Sequence, residues 1–123
     1  MLIAFIYMRT MQMKVVELAA RANMQLISPS ANAGFEVSHV YAADTMSELI
    51  AHASSGTLLV THLDNAQIAR VAELMDVPAV CLVDGAQPGR ELLEAAGRAG
   101  AAIMVSPSGL AQTVRTFEEL LQP

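Results

Sequence analysis

The segment from Thr57 to Val105, TLLVTHLDNAQIARVAELMDVPAVCLVDGAQPGRELLEAAGRAGAAIMV, states one pattern three times over. A continuous apolar run comes first, then a polar turn, then a stretch with helical periodicity. Thr57-Leu58-Leu59-Val60-Thr61 leads into a helix from about Asn65 to Met75, and Ala79 to Val83 leads into one from about Arg90 to Arg98. Ala102-Ile103-Met104-Val105 precedes a third, from about Ser108 to Leu121. Strands this uniformly apolar are buried on both faces, as in a parallel sheet covered by helices. Repeated strand-helix units imply right-handed crossovers between parallel strands. The expected fold class is α/β, a three-layer α/β/α sandwich with a mostly parallel central sheet.

Helix boundaries carry their own signals. Thr45 with Glu48, and Asp64 with Gln67, have the three-residue spacing of capping boxes, and Ser106-Pro107 offers a cap followed by a first-turn proline. Gly100 is placed to stop the preceding helix. Upstream, Glu36 to Ala42 alternates as a half-buried strand, Pro29 to Gly34 reads as a loop, and Met24 to Ile27 as a strand. Val15, Val16, Leu18 and Ala19 recur at helical spacing within Met13 to Ala22, with Asn23 able to end that helix. Residues 1–12, an apolar run followed by Arg9, read as a leader or an extra strand. The pattern of a single domain occupies 13–123.

Composition limits the function classes. The chain has 123 residues, 54% of them hydrophobic and 15% charged, with no Trp, two Tyr, three Phe and eight Met. Such a chain has ample apolar surface for one aliphatic core and is no disordered tail. A net charge of -5, with seven scattered Lys and Arg, argues against nucleic acid, which needs clustered cations. The apolar run near the N-terminus is too short for a bilayer span and lacks a signal-peptide cleavage pattern. One cysteine, Cys81, allows no intrachain disulfide and sits in an apolar run where it behaves as an inert core residue. A cytoplasmic protein without membrane or nucleic-acid partners is expected.

In parallel sheets of this kind ligands bind outside the carboxyl ends of the strands, near a topological switch. Four segments end there: Ala43-Asp44-Thr45, Thr61-His62-Leu63-Asp64-Asn65, Asp84-Gly85-Ala86-Gln87 and Ser106-Pro107-Ser108. The candidate ligand-binding residues are Thr61, His62, Asp64, Asn65, Asp84, Gly85 and Ser106. A His two residues before an acid could do acid/base work, and His62, Asp64 and Asp84 are the obvious metal set. Against both, Asp64 serves as a helix cap and a turn His is ordinarily solvated, so no catalytic residue and no metal are expected. His39 and His52 read as structural. Walker, GxGxxG and GxSxG patterns are absent. No cofactor is expected. An adenine nucleotide is permitted as a regulatory ligand, since acids in the turns can accept hydrogen bonds from ribose hydroxyls or an amino group.

The chain resembles the DRTGG domain family, whose fold is similar to the N-terminal domain of HPr kinase/phosphorylase. The resemblance runs from Met13 to the last helix. Val40-Tyr41-Ala42-Ala43-Asp44-Thr45-Met46-Ser47-Glu48-Leu49 and Gly56 through Asn65 carry most of it, with Val83-Asp84-Gly85, Pro88-Gly89-Arg90-Glu91 and Ile103 through Ser108. The family's Asp-Arg and Thr-Gly-Gly turns correspond to Asp64-Asn65 and Val83-Asp84-Gly85, so the arginine is missing here. What the resemblance implies is a regulatory, non-catalytic domain, commonly dimeric, found with CBS domains in regulated pyrophosphatases and as small copies beside iron hydrogenase genes. On that footing the expected function is a non-catalytic regulatory or small-ligand-sensing homodimer acting on a metabolic or redox enzyme. The alternatives are a protein-docking module without a small ligand and a small hydrolase or transferase using His62 and Asp64.

Overall fold

Apolar runs too short for helices and apolar on both faces become strands, and in this computed structural model they form the centre of the molecule. The structure describes residues 12–28 and 35–122. The elements in chain order are β1 (Met13–Lys14), α1 (Val15–Arg21), β2 (Gln25–Ser28), β3 (Glu36–Val37), β4 (His39–Ala42), α2 (Met46–His52), β5 (Thr57–Thr61), α3 (Ala66–Leu74), β6 (Ala79–Leu82), α4 (Arg90–Ala99), β7 (Ala102–Val105) and α5 (Leu110–Leu120). The main sheet has the order β2-β7-β6-β5-β4, while β1 and β3 form a small antiparallel pair. Four strands, β4 to β7, run parallel in sequential order, and β2 closes the edge antiparallel to β7. This is the mostly parallel α/β sandwich that the three repeats predict.

Strand alternation divides the interior in two. Tyr41, Leu59, Val80 and Ile103 lie in one register row and point to the face covered by α2, α3 and α4, where Leu49, Ile68 and Leu92 pack against them. The next row, Ala42, Val60, Cys81 and Met104, points to the opposite face and meets Leu18 of α1 and Phe117 of α5. Three successive crossovers therefore lay their helices on one face, and the connection leaving β7 passes to the other. Helix α5 returns beneath β4 and β5, and α1 packs beside β2. This change of side between α4 and α5 is the switch point of the sheet.

Several local boundaries differ from the sequence reading. Met13 and Lys14 do not begin a helix; they pair with β3, and α1 starts at Val15. The strand expected from Glu36 to Ala42 is broken at Ser38, where the Ser38 and His39 N–H groups both donate to the Gly56 carbonyl, at 2.8 and 3.2 Å. Asn65, not Asp64, caps α3, its side chain accepting from the Ile68 N–H at 3.3 Å. Ser106-Pro107 caps nothing: α5 begins at Leu110 with Gly109 as its N-cap. Thr45 does cap α2, and Gly100 ends α4 in the left-handed region at φ 76°. The leader assigned to 1–12 lies outside the described residues except for Gln12, and so does the loop Pro29 to Gly34.

The Asn65 cap gives a testable stability difference. Asn65→Ala is expected to destabilise the protein by about 1 kcal/mol, as cap deletions do, while Asn65→Asp keeps the acceptor and most of the stability. Urea unfolding of both variants reads the difference. Equal midpoints for Asn65→Ala and the parent chain would contradict the assignment.

Candidate functional site

Because β4, β5 and β6 are neighbours, the turns after them meet. Asp44 follows β4, His62 follows β5 and Asp84 follows β6. His62 stands between the two acids: its Nδ1 lies 2.9 Å from Asp44 Oδ2 and its Nε2 lies 2.6 Å from Asp84 Oδ2. Asp44 is held from below as well, its Oδ1 accepting from the His62 backbone N–H at 2.8 Å and the Thr61 hydroxyl at 3.2 Å. Asp84 owes its position to an unusual backbone. Its φ is 58° and that of Gly85 is 64°, so two consecutive residues are left-handed, a conformation Asp tolerates better than most and Gly adopts freely. The Asp84 N–H donates to the Ser108 carbonyl and the Gly85 N–H to the Ser106 carbonyl, both at 2.8 Å, which fastens this turn to the one after β7.

A carboxylate only accepts hydrogen bonds, so an imidazole bonded to carboxylates through both nitrogens must donate from both. His62 is then the imidazolium. The hydrogen bond to Asp44, followed by that to Asp84, holds its pKa above the ordinary value against a smaller opposing effect of burial. Partial burial works most strongly against the charged form of Asp44, but the His62 backbone and side-chain hydrogen bonds, its charge and the Thr61 hydroxyl together outweigh it and bring the Asp44 pKa down. The three side chains are about half exposed, and together they carry one net negative charge.

The remaining sequence candidates occupy different stations. Thr61 is fully buried; it donates to Asp44 and accepts from the Leu63 N–H at 3.1 Å. Asp64 does not join His62; both of its oxygens accept from the Gly89 N–H, at 3.1 and 3.0 Å, at the start of α4. Asn65 is the α3 cap described above. Ser106 is buried, its hydroxyl paired with Thr113 at 2.7 Å and accepting from the Ser108 N–H. The structure thus brings together His62, Asp84 and Thr61, and adds Asp44. The sequence contains a signal for Asp44: it falls two residues past the end of β4, the same offset as Asp84 past β6. His39 bonds Ser38 through Nδ1, and His52 stacks on Tyr41 with ring centroids 3.8 Å apart, so neither reaches this end of the sheet.

Both nitrogens of His62 are engaged, the Thr61 and Ser106 hydroxyls are buried in hydrogen bonds, and burial pushes the Cys81 thiol up to about 12. Among the described residues no group of three or more His, Cys, Asp or Glu is arranged to hold a metal ion. Among them, too, no helix is long and apolar enough to cross a membrane.

What this end of the sheet does have is a cleft. It lies at the switch point, between the turn after β6, with Gly85, Gln87 and Pro88, and the edge formed by β2 and β7, with Gln25 and Val105. Its volume is about 340 Å³. The antiparallel course of β2 creates it, since the start of that strand comes to stand beside the end of β7, with Gln25 opposite Val105.

No protein-family model matches the sequence, and no curated protein does. A solved structure does: the crystal structure of the CBS and DRTGG domains of the regulatory region of Clostridium perfringens pyrophosphatase, complexed with its activator diadenosine tetraphosphate. The TM-score is 0.70 at 17% sequence identity, over 89% of this chain. The match spans 47% of the pyrophosphatase chain, so this protein corresponds to about half of that regulatory region. At such low identity the likeness speaks to architecture alone, the mixed α/β fold described above.

Proposed function

We propose that this chain is a regulatory, ligand-sensing domain of the DRTGG type, spanning residues 13–123, and not an enzyme. It acts in the cytoplasm as a homodimer on a metabolic or redox enzyme, and its ligand is an adenine nucleotide. The observation that carries this reading is the cleft at the switch point, the position where such sheets bind ligands, with His62 bonded to Asp44 and Asp84 in the neighbouring turns. The neighbouring structure supports the same direction, being a regulatory region bound to an adenine-containing activator. Fold alone assigns no ligand, so the reading rests on the cleft.

A thermal-shift screen against nucleotides, acyl phosphates, divalent metals and redox cofactors tests it. A ligand selective for the folded state adds about 2.7 kcal/mol of stability at a hundredfold excess over its dissociation constant. Saturable stabilisation by an adenine nucleotide is the expected result. Silence across the whole panel would overturn sensing and favour the docking reading, for which the structure offers a shallow groove lined by Ala42, Leu110, Ala111 and Val114. Sedimentation showing a monomer at all concentrations would remove the homodimer from the proposal.

A further inference from the structure

The cleft has a chemical character that narrows what it takes. We infer that it is a subsite for the adenine base itself, read by side-chain amides, with the phosphates of a nucleotide contributing little. This deepens the ligand-sensing reading and depends on it. Asn23 and Gln25 stand on the β2 side of the cleft and Gln87 on the side of the β6 turn. Each amide presents a carbonyl acceptor and two N–H donors. Among the described residues no side-chain hydrogen bond ties any of the three to the protein. Asn and Gln amides match the adjacent donor and acceptor on an adenine edge, its amino group and ring nitrogen, in two parallel hydrogen bonds.

The rest of the cleft suits a flat, uncharged ring. Ile27, Val105 and Pro107 provide apolar surface beside the amides. A volume of about 340 Å³ is near the lower end of small-molecule sites, which run from ~300 to ~1,000 Å³. That accommodates a base with its ribose. Among the described residues no Lys or Arg lines the cleft, and Gly85 on its wall follows directly on Asp84, part of a cluster with net negative charge. Phosphates therefore gain no cationic partner there, and affinity must come from the base.

Titration calorimetry with adenosine, AMP, ATP, inosine and ribose 5-phosphate tests this on the full chain and on Gln25→Ala, Gln87→Ala and the double variant. Both glutamines are exposed, and the unliganded melting temperature confirms that each variant folds. Adenosine and ATP are expected to bind within about fivefold of each other, and each substitution to weaken adenosine about five- to tenfold, the effect of one lost hydrogen bond. Inosine, whose ring presents an acceptor where adenine has its amino donor, is expected to bind about tenfold more weakly. Adenosine binding unchanged in the double variant, or ribose 5-phosphate binding as tightly as AMP, would overturn the base subsite while leaving sensing intact. If no adenine compound binds the parent chain, the subsite falls, and the broader screen decides separately whether another metabolite is sensed.

Discussion

Phe117→Ala is expected to lower the stability of the protein by about 3–5 kcal/mol, the largest effect of any single truncation of this core. Among the described residues Phe117 is the largest of the fully buried side chains, with no exposed surface. It projects from α5 into the cluster that joins α1 and α5 to the Leu58, Val60, Cys81 and Met104 side of the sheet. Among the described residues the cluster around it holds no other aromatic side chain, so nothing of similar size can fill the cavity its removal leaves. The cost contains both the lost transfer energy and the lost contacts of the cavity walls. For a chain of this length that corresponds to a fall in melting temperature of about 10–20 °C. Phe35→Ala is the internal control: its side chain is 54% exposed, and the expected change is within about 0.5 kcal/mol. Denaturant unfolding that gives the two variants the same midpoint would show that α5 does not pack as described.

His62→Ala is expected to cost about 1–2 kcal/mol near pH 6. It removes two charge-assisted hydrogen bonds and leaves Asp44 and Asp84 as uncompensated like charges, but the half-exposure of all three side chains screens the effect. The pH dependence distinguishes this cluster from a packing defect. The pKa of His62 is raised in the folded state, so its contribution is fully present below the unfolded value near 6.5 and is lost as pH rises through the folded value. The pKa of Asp44 is lowered, so its contribution is present above the unfolded value of 3.8 and is lost as pH falls through the folded value. The cluster therefore stabilises the protein most between about pH 4 and pH 6.5. The stability difference between the parent chain and His62→Ala should shrink as pH is raised from about 6 to 9. A difference that stays constant over this range would mean that His62 is not held as the imidazolium.

Phe117 sits at a helical position facing a core whose existence the composition announces, whereas the His62 cluster joins residues 18 and 22 positions apart. From the sequence, Asp64 looked like His62's natural partner because it is two residues away. In the folded chain the backbone carries Asp64 onward to the Gly89 N–H at the entry to α4, and Asn65 takes over the capping role. Asp44 and Asp84 reach His62 because β4 and β6 flank β5 in register. The Ser106-Pro107 signal failed for a related reason. The Ser106 hydroxyl is drawn inward to Thr113, and the chain runs on to Gly109 before the helix begins.

The three apolar runs and their following helices were sufficient to specify an α/β sandwich. A strand apolar on both faces can be satisfied only between two layers, and helices at its ends can supply those layers only by crossing over. Caps such as Thr45 and the stop at Gly100 were equally local, each satisfied by atoms within a turn of the residue itself. Strand order was not local, nor was the reversal of β2, and these two facts produced both the carboxylate-imidazolium cluster and the cleft. Side chains far apart in sequence become neighbours according to which strand lies beside which, and that arrangement is set by the packing of whole helices and strands against one another.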